Sequence, residues 1–551
     1  MVTVIFIGAC LLFALAYMKY GKFLARLFEL NDKNHAPSHT MYDGIDYVPT
    51  PTPILFGHHF SSIAGAGPVV GPIIAGLAFG WLPVWIWIIC GAILIGGVHD
   101  FASLVISVRN RARSIAEVVK TYMSAKAYRL MLAFIWLSLV YVLTVFTDLT
   151  AATFKADGGV ATSSILFMVL AVGFGLSVYR MKMPLLWSTV IFVSLLFGSV
   201  WLGQQIPLNN IPALLGDTAK TWSLVLIVYC FIASVAPVWM LLQPRDYLSS
   251  FLLYGSILGG FIGILFGALP LKYPAFTGWV SPGIGPMFPL LFVTVACGAI
   301  SGFHAVVASG TSSKQIKKET SALPIGYGAM LVEGLVAVIA LCTVMMIGAN
   351  DPLVGREPLA IYGAGMARFF SVFGIPAKYG NSFGILALST FILTTLDTAT
   401  RLARYILQEF FNAENKNARY LATAATLFLP TIFVMVSFKD AAGAVVPAWK
   451  IIWPVFGATN QLLAGLALMV AAVWLKKKGK PVWFVILPMI FMLAMTMWAL
   501  FIIISQYKFS LLGIIGGVLL LLAFLLIMEA IEVFEVKHHV RRMVKKVRRQ
   551  V

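Results

Sequence analysis

The sequence predicts an all-α, polytopic membrane protein of about fifteen transmembrane helices. Three observations carry that prediction. Of 551 residues, 60% are hydrophobic and only 11% charged, which leaves too little polar surface to cover a soluble domain of this length. The apolar residues fall in successive runs of about 18 or more, each long enough to cross the hydrocarbon core. Lys and Arg collect in short loops that follow every second run, as the positive-inside rule requires.

Taken in order, the spans read as 2–19, 60–80, 82–108, 129–149, 161–179, 184–203, 221–242, 249–271, 288–309, 324–348, 380–400, 419–438, 451–475, 482–505 and 509–530. The first lacks a basic leader and a small-residue cleavage site, so it reads as a retained helix rather than a signal peptide. The basic loops are "KYGKFLAR", "RNRAR", "YRMK", "QPRDY", "SSKQIKK", "RLAR", "KKKGK" and the tail "KHHVRRMVKKVRRQ". The intervening loops are poor in Lys and Arg. All eight basic segments agree on one side, which predicts an external N-terminus and a cytoplasmic C-terminus. Merging two spans would spoil the alternation, so the odd count matters. The net charge of +19 is thus a topology signal and not a nucleic-acid footprint. The tail, from Lys537 through Arg541, Arg542, Lys545 and Lys546 to Arg548 and Arg549, reads as an anchor that can also meet anionic headgroups.

The five cysteines (Cys10, Cys90, Cys230, Cys297, Cys342) lie in apolar segments without a CxxC pair. They are expected to be small hydrophobes, not disulfides or zinc ligands.

Span two contains "FSSIAGAGPVVGPIIAG", a poor helix in a place where unpaired backbone is costly. Pro68 and Pro72 each remove a donor, and Gly65, Gly67 and Gly71 lower the cost of unwinding. Five spans on, span seven carries Pro237 after "ASVA" and Pro244 near its cytoplasmic end. Spans two and seven cross in opposite directions, and interrupted helices at matching places in two inverted halves point to a transporter binding site. The expectation is that span two is broken because its backbone acts as a ligand, shielded from lipid by other spans. Close packing through small residues is the competing reading, and it suits "GGFIGILFG" of span eight.

Ionisable groups within spans usually face a cavity or a partner. His99 and Asp100 lie in span three, His304 in span nine, Glu333 in span ten and Asp397 in span eleven, with Asn460 and Gln461 in span thirteen. Asp397 and Arg401, four apart on one face, are expected to pair structurally. Glu333 has no basic neighbour in sequence and is either a proton carrier or a hydrogen-bonded packing residue. Ser309, Thr311 and Ser312 offer hydroxyl oxygens of the kind a hard cation needs. His58, His59, His99 and His304 match no standard metal-ligand spacing.

Several long segments carry a resemblance. "FGHHFSSIAGAGPVVGP", "PVWMLLQPRDYL", "CGAISGFHAVVASGTSSKQ", "TTLDTATRLARYILQE" and "WPVFGATNQLLAGLAL" together resemble the carbon starvation protein A (CstA) family, over about residues 50–475. The resemblance implies an inner-membrane protein for peptide or pyruvate uptake under nutrient limitation. It also implies a distant likeness to the amino acid–polyamine–organocation transporters, with a five-plus-five inverted repeat in spans two to eleven and span nine as the eighth core helix. A sodium ion between the first and eighth core helices would then draw on Ala64, Gly67, Ser309 and Ser312.

On this reading the chain divides into a first helix with its cytoplasmic loop (1–59), an inverted-repeat core (60–400), additional helices (401–530) and a basic tail (531–551). The substrate site is expected at Gly65, Ala66, Gly67 and Pro68, at Ser234 and Pro237, and at His59 and His304. The ion-coupling candidates are Glu333, His99, Asp100, Ala64, Ser309 and Ser312. No catalytic residue, metal or organic cofactor is assigned, the coupling ion being H⁺ or Na⁺. The partners expected are a small carboxylate or peptide and the bilayer, with no nucleic acid. The leading function is a secondary symporter, since no Walker A motif appears. A membrane-embedded enzyme would call for an HExxH or GxSxG motif that is missing, and a nutrient sensor signalling through the tail is the other alternative.

Overall fold

The computed structural model describes residues 1–547 apart from 45, 238–239, 414–416 and 440–444, with side chains described to Val533 except at 511. The basic residues from Lys537 to Arg549 lie outside the described side chains. Thirteen helices among the described residues are long and apolar enough to cross a membrane, and a bent pair, Thr52–Ile63 and Gly67–Phe79, makes a fourteenth span. That bend of 46° is the break expected in span two. Two short ribbons, Val280–Ser281 with Gly285–Pro286 and Phe438–Lys439 with Val445–Val446, are the only strands described.

The second break is not where the prolines suggested. Span seven is the continuous helix Thr218–Val235, and Pro237 follows its end and is exposed. A proline just beyond a helix terminus is a terminator, since it disfavours helical geometry in the residue before it. The interrupted span is instead span nine, where Met287–Thr294 and Gly302–Val307 are separated by the non-helical residues 295–301. Span nine, expected as the eighth core helix, is therefore the second interrupted span.

Around each broken span the same succession of elements occurs. After Thr52–Ile63 and Gly67–Phe79 come the long helix Trp81–Arg109, the short helix Ile115–Tyr122 and the long helix Ala125–Ala156. After the second broken span come Glu319–Met345, the short helix Pro358–Phe370 and Ala377–Phe411. The apolar windows of Ala377–Phe411 and Ala448–Lys477 are wholly buried, whereas Leu185–Gln205 is mostly exposed, as expected of a lipid-facing helix. Gly80 (φ +89°) makes the tight turn from Phe79 into Trp81, where a Cβ would lie 2.5 Å from the Ala275 carbonyl.

Several of the segments taken as basic loops are helical, and two of them hold buried arginines. Arg245 of "QPRDY" lies in Leu242–Phe266, and Arg401 and Arg404 of "RLAR" lie in Ala377–Phe411. All three are buried. Asp397 does not pair with Arg401. It is bound by Arg245 Nη1 and by the Tyr229 hydroxyl at 2.7 Å. Arg401 Nη2 donates to the Ala233 and Ala236 carbonyls at 2.8 and 2.7 Å, and Arg404 Nη1 to the Ser234 carbonyl at 2.8 Å. The two arginines thus cap the C-terminal end of Thr218–Val235, where carbonyls lack intrahelical partners. Arg245→Leu would strand the Asp397 carboxylate, at a cost of roughly 3–5 kcal/mol. Thermal melts in detergent should show a large loss for Arg245→Leu and partial recovery in Arg245→Leu/Asp397→Leu.

Candidate functional site

The two breaks meet. A Cβ on Gly67, the first residue of Gly67–Phe79, would lie 2.3 Å from Cys297 Sγ in the second break. One on Gly71 would lie 2.4 Å from the Thr294 carbonyl, and one on Gly298 3.6 Å from Pro68 Cα. Glycine is needed here because one backbone crosses another at contact distance. Gly65 packs towards Phe146 and Thr395, and Ala64, Ala66 and Pro68 are buried beside it.

Side chains of neighbouring helices take up the backbone groups that the breaks release. Thr395 Oγ1 donates to the Ser62 carbonyl at 3.3 Å, and Trp87 Nε1 to the Val295 carbonyl at 3.1 Å. Asn460 and Gln461 straddle the second break. Gln461 Nε2 donates to the Phe292 carbonyl of the first half-helix. Asn460 Oδ1 accepts the Phe303 N–H at 3.0 Å in the first turn of the second half-helix, and Asn460 Nδ2 donates to Ser301 Oγ at 3.0 Å. Asn460 is thus an N-cap supplied by another helix, a role the sequence reading did not give it. Asn460→Ala should cost about 1–3 kcal/mol by orphaning buried groups, visible as a lower melting temperature with the fold retained.

Above this crossing lies a buried row of titratable groups. His99 Nδ1 is 2.7 Å from Asp100 Oδ1, and Asp100 Oδ2 is 2.8 Å from His304 Nδ1. His304 Nε2 is 3.3 Å from Glu333 Oε2. All four side chains are fully buried. Glu333 is therefore not isolated, as its sequence neighbourhood suggested. His304 sits in the first turn after the second break, and three spans contribute to the row. An ionised Asp100 only accepts, so both Nδ1 atoms carry hydrogens. One further proton then has two seats, His304 Nε2 and Glu333 Oε2. Neither Glu333 oxygen has a hydrogen-bond partner among the described residues.

The remaining candidates fall elsewhere. His59 Nδ1 is 2.7 Å from Ser312 Oγ, which ties the first half-helix of span two to the π turn Ala308–Ser312. Ser309 Oγ donates to the Ala305 carbonyl at 2.6 Å and accepts the Ile115 N–H at 3.1 Å. Ser309 and Ser312 are thus engaged in bonds of their own. Ser234 lies with Arg404 at the end of span seven and, with the exposed Pro237, joins neither break. Among the described residues no group of three His, Cys, Asp or Glu is placed to hold a metal ion.

Two cavities flank the crossing. One, of about 750 Å³, is lined by Ile74, Leu77, Thr294, Arg356, Lys450 and Trp453, among others. The other, of about 320 Å³, is lined by Ile54, His58, Tyr179, Gln243, Tyr247 and Gln315, among others. Ile74 and Leu77 belong to one half of the first broken span, and Ile54 and His58 to the other. The cavities therefore lie at opposite ends of that span.

The family described as "Carbon starvation protein CstA" matches residues 1–353 and 347–499. The chain belongs to the CstA family. It is 34% identical over 522 residues to "Peptide transporter CstA" of Bacillus subtilis, covering 86% of this chain and 84% of that one. It is 32% identical over 587 residues to "Pyruvate/proton symporter BtsT" of Escherichia coli, covering 90% and 81%. Among solved structures, a manganese transporter of Eremococcus coleocola aligns over 89% of this chain and 99% of its own, with a TM-score of 0.44 and 12% identity. As a member of the CstA family, the chain is a multi-pass membrane transporter.

Proposed function

We propose that this transporter is a proton-coupled symporter that imports a small carboxylate such as pyruvate, or short peptides. The observation that carries the reading is the fully buried His99–Asp100–His304–Glu333 row at the crossing of two broken helices. A buried site with two seats for one proton can load and unload as its surroundings change, which is what coupling needs. Ser309 and Ser312, the hydroxyls expected to bind sodium, are already used in holding the half-helices. The names of the relatives supply the substrate classes, and transport rather than catalysis accounts for the site.

The core of this reading runs from the first broken span through Ala448–Lys477, longer than the 60–400 expected, with the two halves related as inverted repeats. The 320 Å³ cavity faces the cytoplasm and the 750 Å³ cavity the outside, in an inner membrane with the C-terminus inside. The alternation of the exposed basic loops supports this orientation even with Arg245, Arg401 and Arg404 set aside. Uptake of labelled pyruvate and of di- and tripeptides into proteoliposomes, with pH and Na⁺ gradients imposed separately, tests it. The pH gradient alone should drive accumulation of one of them. Accumulation that follows only the Na⁺ gradient would contradict the reading.

A further inference from the structure

A second set of buried charges lies outside the row just described. Half-helix Thr52–Ile63 packs on helix Leu242–Phe266 so closely that a Cβ on Gly57 would lie 3.2 Å from the Tyr254 hydroxyl. At this contact His58 Nδ1 is 3.2 Å from Asp246 Oδ2. Neither Asp246 oxygen has a hydrogen-bond partner among the described residues. Arg245 Nη2 is 3.7 Å from Asp246 Oδ1, but that guanidinium is aimed at Asp397 and Tyr229. Arg245 is shared between Asp397 and Asp246, and a protonated His58 adds a second positive charge directly against the Asp246 carboxylate. The other groups around the pair are Tyr179 and Tyr247 in the cavity wall, Arg401 beyond Asp397, and His59 with its partner Ser312. The His58 side chain is 13% exposed while Asp246, Arg245 and Asp397 are at 0%. His58 also lines the 320 Å³ cavity, which those three do not.

We propose that His58 and Asp246 form a second proton-binding site, reached from the cytoplasmic cavity, which clamps Thr52–Ile63 to Leu242–Phe266 while His58 is charged. Loss of the proton to the cytoplasm removes the attraction and frees the half-helix. The same half-helix ends at the first break and holds the second broken span through His59 and Ser312, so its release opens the cavity towards the crossing. This rests on the proton-coupled reading above and adds to it a gate that responds to the inner pH.

The test uses right-side-out membrane vesicles, whose lumen stands for the cytoplasm, and labelled pyruvate or trialanine, whichever is carried. Exchange at equal substrate on both faces is measured while the lumenal pH is stepped from about 8 to about 6, the range in which histidine titrates. Wild type should slow severalfold as the lumen acidifies. H58Q should lose that response and keep the response to external pH, which acts through the Glu333 row. H58K, permanently charged, should be slow at every lumenal pH. An H58Q that keeps the wild-type lumenal response, or an H58K as fast as wild type, overturns the clamp. A wild type that answers external but not lumenal pH overturns this inference alone. A wild type driven by Na⁺ and indifferent to pH on both faces overturns the coupling reading and this inference with it.

Discussion

Glu333→Gln is expected to abolish accumulation against a gradient while leaving exchange across the membrane. The amide keeps the volume and can still meet His304 Nε2, 3.3 Å from the native carboxyl, but it cannot release a proton. With one pH unit imposed, symport with one proton supports roughly tenfold accumulation, about 1.4 kcal/mol. The variant should only equilibrate its substrate. If the carboxyl were a packing residue, Gln would preserve both activities. If it bound substrate directly, exchange would fail as well. Normal accumulation by Glu333→Gln would exclude it as the proton carrier.

Gly67→Ala should cripple transport. Its Cβ would fall 2.3 Å from Cys297 Sγ and 2.4 Å from Cys297 Cβ, so the two broken spans must separate. Overpacking of this kind costs about 1–3 kcal/mol, and here it falls where the spans cross. Cys297→Ala would leave the Cβ in place and should not rescue. Gly67→Ala/Cys297→Gly removes both colliding atoms and should recover uptake. A Gly67→Ala variant that transports like wild type, or a double variant no better than the single, would show that this contact does not control transport.

The spans and the first break were legible in the sequence because both depend on local composition. Run length fixes a span, and "AGAGP" weakens a helix wherever it occurs. The second break was not legible for the same reason. "VACGAIS" contains no proline, and the groups that make its unwinding tolerable, Asn460, Gln461 and Trp87, lie 157 to 208 residues away. Pro237 misdirected the assignment because a proline that breaks a helix and one that follows it look alike in sequence. His99, Asp100, His304 and Glu333 were each singled out, but their joining into one row depends on how three helices cross. Arg245 was read as a loop charge because a charge count treats every arginine as exposed, and its partner Asp397 is 152 residues away.

The most direct measurement of the central claim is the lumenal pH of proteoliposomes on addition of substrate, read with a trapped pH dye in Na⁺-free buffer. Wild type should acidify the lumen when pyruvate or a short peptide is added outside, Glu333→Gln should not, and the signal should vanish with a protonophore. Substrate entry without lumenal acidification, or entry only after Na⁺ is restored, would contradict proton coupling through the His304–Glu333 pair.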